Sequence, residues 1–242
     1  DLVGAILQSA AYKVFNHKEL IRKTDREQLA WNYLKDDRGR QSEDSLNRIF
    51  DTVDYYENNK RWFGYLLAQP NRNLIFESSS EKINQWLEEL LFSGHDLKTR
   101  IDNCLGNTAI KGASKGLATL LLYLSDPENY SIWVNKTLEG LHTLKRIENL
   151  RGNNWGENYL RFNEAANEFR GLHGFKPREA DWILTFIAAH VENANGHFLI
   201  EEDAMKHDDY PGSEYADSAS QLQERLRLLS MEYPDLDICS TM

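Results

Sequence analysis

The sequence predicts an all-α fold, and two observations carry that prediction. Apolar residues recur every three to four positions along much of the 242-residue chain, as in residues 2–15 and 19–35, and this is the period of an amphipathic helix. Proline and glycine, which mark the turns of β-rich proteins, are few, at 5 and 14 residues. Six Trp, ten Phe and eleven Tyr supply bulky apolar groups. We therefore expect a multi-helix bundle with a sizeable core.

Turn signals and charge divide the chain into three regions. We expect residues 1–77 to form an N-terminal helical region, residues 78–205 a helical core, and residues 206–242 an acidic segment with one helix. The formal net charge of −10 argues against indiscriminate binding of polyanions through bulk charge. Residues 96–151 are mildly basic, whereas residues 192–237 carry twelve acidic and three basic residues. The acidic segment is either a solvated tail or a surface that recruits a partner protein, which would make the chain an interaction adaptor.

Cysteine usage and hydropathy bear on the compartment. Cys104 and Cys239 form no disulfide framework and no metal-binding pair of closely spaced cysteines, which suits a reducing compartment. No apolar run is long enough to span a bilayer, and no signal peptide is visible. The sequence therefore predicts a cytoplasmic protein with no membrane partner. The start at Asp1 and the abrupt end at Met242 are typical of a piece excised from a longer protein, and removal of a tag would leave the same kind of start.

Local signals mark several helix starts and turns. Ser42 is a candidate N-cap for a helix, and Ser78–Glu81 resembles a capping start for a helix that continues to Phe92. Pro177 suits the first turn of a later helix. Pro70–Asn73 is expected to be a turn, and Leu74–Phe76 a short extended piece. The helix after Ser42 should bury Leu46, Ile49, Phe50 and Val53.

The most specific chemical signal is a turn of small residues, Ile110–Gly116, that leads into an apolar helix. Backbone N–H groups at the start of a helix suit a phosphate oxygen. Lys111 and Lys115 would add positive charge, and Ser114 could donate a hydrogen bond from its hydroxyl. Residue chemistry leaves two interpretations, a phosphate-binding turn and a plain connection that is glycine-rich because two helices pack closely.

The same turn resembles the helix–hairpin–helix of the base-excision DNA glycosylase superfamily, whose pattern is apolar-Pro-Gly-apolar-Gly with alanine four residues later. Gly112 matches the first glycine and Ala118 the alanine. Lys111 stands where that family usually has proline, and Ser114 where it has the second glycine. The resemblance implies that the backbone of this turn grips a DNA phosphate.

The resemblance also implies two reactive positions, and neither carries the reactive group. The catalytic aspartate of the superfamily lies in a Val-Asp segment after the second helix, where this chain has Val134 and Asn135. Members that form a Schiff base carry lysine where this chain has Gly116. An amide cannot act as a base or stabilise a cationic centre as a carboxylate does. We therefore expect DNA binding without catalysis, and a divergent glycosylase is an alternative that needs another carboxylate near Asn135.

A second resemblance covers about residues 82–190. It rests on Asp126-Pro127-Glu128-Asn129-Tyr130, on an Asn135-Lys136-Thr137 corner, and on the closing helices that contain Tyr159, Phe162, Asn163 and Asp181-Trp182-Ile183-Leu184. The pattern resembles a helical module found beside restriction-type ATPases and nucleases of prokaryotic defence. It implies a DNA-binding or sensing role, with an ATPase or nuclease domain or subunit as partner. The candidate nucleic-acid-binding residues are Lys111, Gly112, Ser114, Lys115, Gly116, Asn135 and Lys136.

Four further groups have both a functional and a purely structural interpretation. They are the carboxylates Asp51, Asp54 and Glu57, the aromatic run Arg61–Tyr65, the loop Arg151–Gly156, and the potential metal ligands His190, His197 and Glu201. Alternating charge on a helix is usually solvated surface, and a glycine after Asn195 interrupts the histidine pattern. We predict no metal and no cofactor.

Overall fold

The computed structural model describes residues 2–8, 25–54, 63–107, 109–148, 150 and 154–190. This part of the chain is helical and contains no strand, which confirms the all-α prediction. Within it, no helix is long and apolar enough to cross a membrane. The helices are α1 (Leu2–Gln8), α2 (residues 25–36), α3 (Glu43–Asp54), α4 (Gln69–Phe76), α5 (Ser80–Phe92), α6 (Leu97–Asp102), α7 (Lys115–Ser125), α8 (Asn135–Thr143), α9 (Trp155–His173) and α10 (Pro177–His190).

Two serine caps begin helices where the sequence predicts them. The Ser42 hydroxyl accepts a hydrogen bond from the Ser45 N–H at 3.2 Å, and α3 then buries its four predicted apolar residues. The Ser79 hydroxyl accepts from the Lys82 N–H at 3.3 Å at the start of α5. Both contacts satisfy N–H groups that lack a partner within the helix.

The predictions of a turn at Pro70–Asn73 and an extended piece at Leu74–Phe76 are wrong, because both lie in α4. Pro70 is in the first turn of that helix, where its missing N–H breaks no intrahelical bond. The buried Arg72 anchors the helix: its Nε donates to the Leu67 carbonyl at 2.6 Å and its Nη1 to Asp51 Oδ1 at 2.7 Å. Long-range contacts of this kind are not visible in a local sequence pattern.

One buried ion pair joins α2 to α10. Arg178 Nη2 donates to Glu27, and both side chains are almost fully buried. Glu27 also accepts from the Tyr123 hydroxyl at 3.0 Å, and Arg178 Nη1 donates to Asp181 at 3.0 Å. Burial raises the pKa of Tyr123, which keeps its hydroxyl protonated as a donor. The hydrophobic core is likewise continuous from α1 to α10.

Helices α8 and α10 pack closely at Gly140. A Cβ atom on this residue would lie 2.2 Å from the Leu184 carbonyl oxygen, so only glycine fits there without movement of a helix. Gly156 plays the same role at the start of α9, where a Cβ would lie 2.3 Å from the Lys98 carbonyl oxygen of α6. These two contacts pack α8 closely onto α10 and α9 closely onto α6.

Candidate nucleic-acid interface

The predicted phosphate-binding turn is a tight loop seated on α4. Gly112 has a φ of 76°, a left-handed conformation that side-chain-bearing residues rarely adopt. The Ala113 N–H donates to the Ile110 carbonyl at 3.2 Å, and the Ser114 N–H donates to the Gly112 carbonyl at 3.0 Å. The turn itself therefore uses the N–H groups of Ala113 and Ser114, which are not available to a ligand.

Asn71 of α4 holds this turn in place. Its Nδ2 donates to the Gly112 carbonyl at 3.1 Å and to the Leu66 carbonyl at 2.8 Å. A Cβ atom on Gly112 would lie 2.8 Å from the Asn71 carbonyl oxygen and 2.9 Å from Ile75 Cγ1. Gly112 is thus required by backbone conformation and by close packing, whether or not the turn binds a ligand.

The start of α7 lacks the usual side-chain cap. Ser114 is the N-cap residue and is exposed, but its side chain makes no capping hydrogen bond. The N–H of Lys115, the first helical residue, has no acceptor among the residues that the structure describes. An N–H group and a hydroxyl in this position can both bind a phosphate oxygen.

Two of the three candidate lysines have carboxylate partners. Lys111 contacts Glu77 of the α4–α5 connection, and both side chains are at least half exposed. Lys136 contacts Glu139 one turn later in α8, at 3.2 Å. Exposed pairs of this kind contribute little to stability, at about 0–1 kcal/mol, but each places a negative charge beside the candidate cation.

Lys115 has different surroundings. It is half-buried, and its Nζ lies 4.7 Å from the centroid of the Trp133 ring, a cation–π distance. Burial lowers the pKa of Lys115. Trp133 is 3% exposed and packs against Trp155, Tyr159 and Phe162 at centroid distances of 5.9–6.2 Å.

The Asn135–Lys136 corner lies beside the start of α7, as the shared contacts of Thr119 show. The Trp133 N–H donates to the Thr119 hydroxyl at 2.8 Å, and this hydroxyl donates to the Lys115 carbonyl at 2.8 Å. Gly116 is buried, and a Cβ on it would lie 3.3 Å from Val134 Cγ1. Asn135 follows as the exposed first residue of α8. Gly116 is therefore a packing residue, and Asn135 follows directly after Val134, the residue that packs against it.

Sequence reasoning did not predict which residues hold the Asp126–Tyr130 segment or that Asn163 has this role. Asn163 of α9 donates to the Asn129 carbonyl at 2.8 Å and accepts from the Ser131 N–H at 2.7 Å. Arg170 donates to the Pro127 carbonyl at 3.0 Å. The signal available in the sequence was the spacing of polar residues along α9, where Asn167 and Arg170 follow Asn163 by four and seven positions. This segment thus has a structural role, since it docks the chain onto α9 just before Trp133.

The weaker candidates have structural roles or lie outside the described residues. Asp51 pairs with Arg72, and Asp54 accepts a hydrogen bond from the Phe63 N–H at 2.6 Å. Trp155 packs edge-on against Trp133. Nowhere in the described ranges do three or more metal-ligating side chains come together. His190 ends α10, and the candidates outside the description are Glu57, Arg61, Trp62, Arg151–Asn153, His197, Glu201 and the segment 206–242.

Comparison of the chain with protein-family models, with curated proteins and with solved structures found no match.

Proposed function

We propose that this chain is a non-catalytic DNA-binding module that contacts the phosphate backbone at the start of α7. One observation carries the proposal: the exposed Ser114 stands at the N-cap of α7 without capping it, which leaves its hydroxyl and the Lys115 N–H without a hydrogen-bond partner among the described residues. Both groups lie at the positive end of the helix dipole. A phosphate oxygen would complete the hydrogen bonds that the protein leaves open there.

The absence of catalysis follows from the residues at the two reactive positions. Asn135 and Gly116 stand where a carboxylate and a lysine would be needed. The nearby Glu77 and Glu139 are exposed and paired with lysines, which gives neither of them the desolvated setting of a catalytic acid. The resemblance of about residues 82–190 to a module of restriction systems supports the further proposal that the chain serves a prokaryotic restriction-like defence protein, with an ATPase or nuclease domain or subunit as partner.

Titration of duplex DNA at two salt concentrations tests the proposal. We expect binding at low salt that weakens as salt rises, because phosphate contacts release counterions. The double variant Lys111→Glu with Lys115→Glu should abolish most of this binding. The variant Lys35→Glu with Lys176→Glu is a matched control, because it makes the same charge change at two exposed residues, Lys35 in α2 and Lys176 just before α10. No binding at low salt, or equal loss in both double variants, would exclude a phosphate site at α7.

A protein-interaction module is the second candidate function, and the close contact between Gly112 and Asn71 favours it. That contact explains the glycine of the turn by packing alone. This alternative predicts no DNA affinity at low salt and loss of association with a partner protein when residues 206–242 are deleted. A divergent glycosylase would instead release a base from damaged duplex DNA, which a glycosylase assay measures directly.

A further inference from the structure

Three lysines border the turn or the neighbouring corner, and only their surroundings distinguish them. Lys111 contacts Glu77, and Lys136 contacts Glu139. Lys115 has no carboxylate partner among the described residues, and its ammonium group rests on the Trp133 ring. Of these three cations, Lys115 is therefore the one whose charge no described acidic side chain neutralises.

The position of Lys115 also strengthens the attraction between its charge and an anion. A half-buried ammonium has lost part of its hydration, and a ring face replaces only part of it. An anion that reaches this cation meets a lower local dielectric constant than at an exposed lysine, so their attraction is stronger. Thr119 links the backbones of Lys115 and Trp133, which holds the start of α7 beside the Trp133 backbone and leaves the ring within reach of the lysine side chain.

We propose that Lys115 is the residue that pairs with a DNA phosphate, and that Lys111 and Lys136 contribute mainly to the surface ion pairs they already make. The proposal rests on the proposed function, because it assigns roles within the same site. In the unbound chain the Trp133 ring holds the ammonium group at the first turn of α7. With DNA bound, that group makes one charge-assisted hydrogen bond to a phosphate oxygen.

The salt dependence of DNA affinity separates the three lysines. Each phosphate contact makes the slope of log K against log salt more negative by about 0.9. When the salt concentration falls tenfold, from 1 M to 0.1 M, one contact therefore raises the affinity about eightfold. We expect Lys115→Met to make this slope less negative by about 0.9 and to lower the affinity for DNA at 0.1 M salt about eightfold. Lys115→Arg should keep the wild-type slope.

Two variants remove the other lysines together with their partners and so leave the net charge unchanged. They are Lys111→Met with Glu77→Gln, and Lys136→Met with Glu139→Gln. Each should change the slope by less than about a third of the Lys115→Met effect, because no phosphate contact is lost. Lys176→Met controls for the loss of one positive charge at an exposed position just before α10.

The measurements distinguish a failure of the role assigned to Lys115 from a failure of the proposed DNA binding. If Lys115→Met binds with the wild-type slope, or loses no more than Lys176→Met, the role of Lys115 is overturned while DNA binding by the wild type still stands. If the wild type itself does not bind at low salt, the proposed function fails and this inference fails with it. Should Lys115→Met lose its helical circular dichroism, Lys115→Gln replaces it, with the same loss of slope expected and the same refutation.

Discussion

Replacement of Gly112 by alanine tests whether the turn is seated on α4 as the structure shows. An alanine at this position must adopt a φ of 76°, which costs about 1–2 kcal/mol. Its Cβ would also lie 2.8 Å from the Asn71 carbonyl oxygen and 2.9 Å from Ile75 Cγ1. Overpacking of this kind typically costs about 1–3 kcal/mol. We therefore expect Gly112→Ala to lower the free energy of unfolding by about 2–5 kcal/mol.

Alanine variants of two other glycines separate the cost of the left-handed conformation from the cost of overpacking. Gly39 has a φ of 72° and nothing within 4 Å of a built Cβ, so Gly39→Ala should cost only the conformational term of about 1–2 kcal/mol. Gly171 is an exposed residue inside α9 with no positive φ and no close neighbour. Gly171→Ala should raise stability by about 0.5–1 kcal/mol.

Urea unfolding, followed by circular dichroism, measures all three variants against the wild type. The difference between Gly112→Ala and Gly39→Ala isolates the contact with Asn71 and Ile75. Equal losses in the two variants would mean that the turn does not pack on α4. A stability of Gly112→Ala equal to that of the wild type would refute both the left-handed conformation and the contact.

Two further predictions concern residues outside the turn. Lys145 lies two residues after the end of α8 and has a φ of 55°. The Arg146 N–H donates to the Leu141 carbonyl at 2.9 Å, in a helix-ending motif that favours glycine at the position of Lys145. Lys145→Gly should therefore raise the free energy of unfolding by about 0.5–1 kcal/mol, and a loss of stability in urea unfolding would contradict this. Burial raises the pKa of the Cys104 thiol from 9.0 to about 12, which lowers its thiolate fraction at pH 8 roughly a thousandfold. In a Cys239→Ser variant, a thiol reagent should thus react at pH 8 only after denaturation, and rapid reaction of the native chain would show that Cys104 is accessible.

Local signals predicted the helices whose ends depend on local contacts. Ser42 and Ser79 each bond an N–H three residues later, and α10 begins at Pro177, so short stretches of sequence contain the whole cause. Helix α4 was missed because Pro70 also suits a turn. The contacts that stabilise this helix instead involve Arg72 and residues up to 25 positions away.

The candidate site likewise combines features that the local sequence predicts with contacts that depend on helix packing. The sequence identified Gly112, Ser114 and Lys115 as a group, because they are neighbours along the chain. It did not reveal that Lys111 meets Glu77, 34 residues away, or that Lys115 rests on Trp133. These pairings depend on how helices pack, and they decide which of three lysines keeps an unpaired charge. The roles of Asn163 and Arg170 were hidden for the same reason, since their partners lie in the segment before α8.

Backbone amide chemical shifts test the DNA-binding proposal most directly, because they report where the phosphate lies. A short duplex is titrated into the isotope-labelled chain at low salt. We predict saturable shifts of the Lys115 amide and of the neighbouring Ser114 and Gly116 amides, with smaller changes in α10. Binding that leaves the Lys115 amide unmoved would place the DNA elsewhere, and a spectrum unchanged at saturating duplex would contradict DNA binding by this chain.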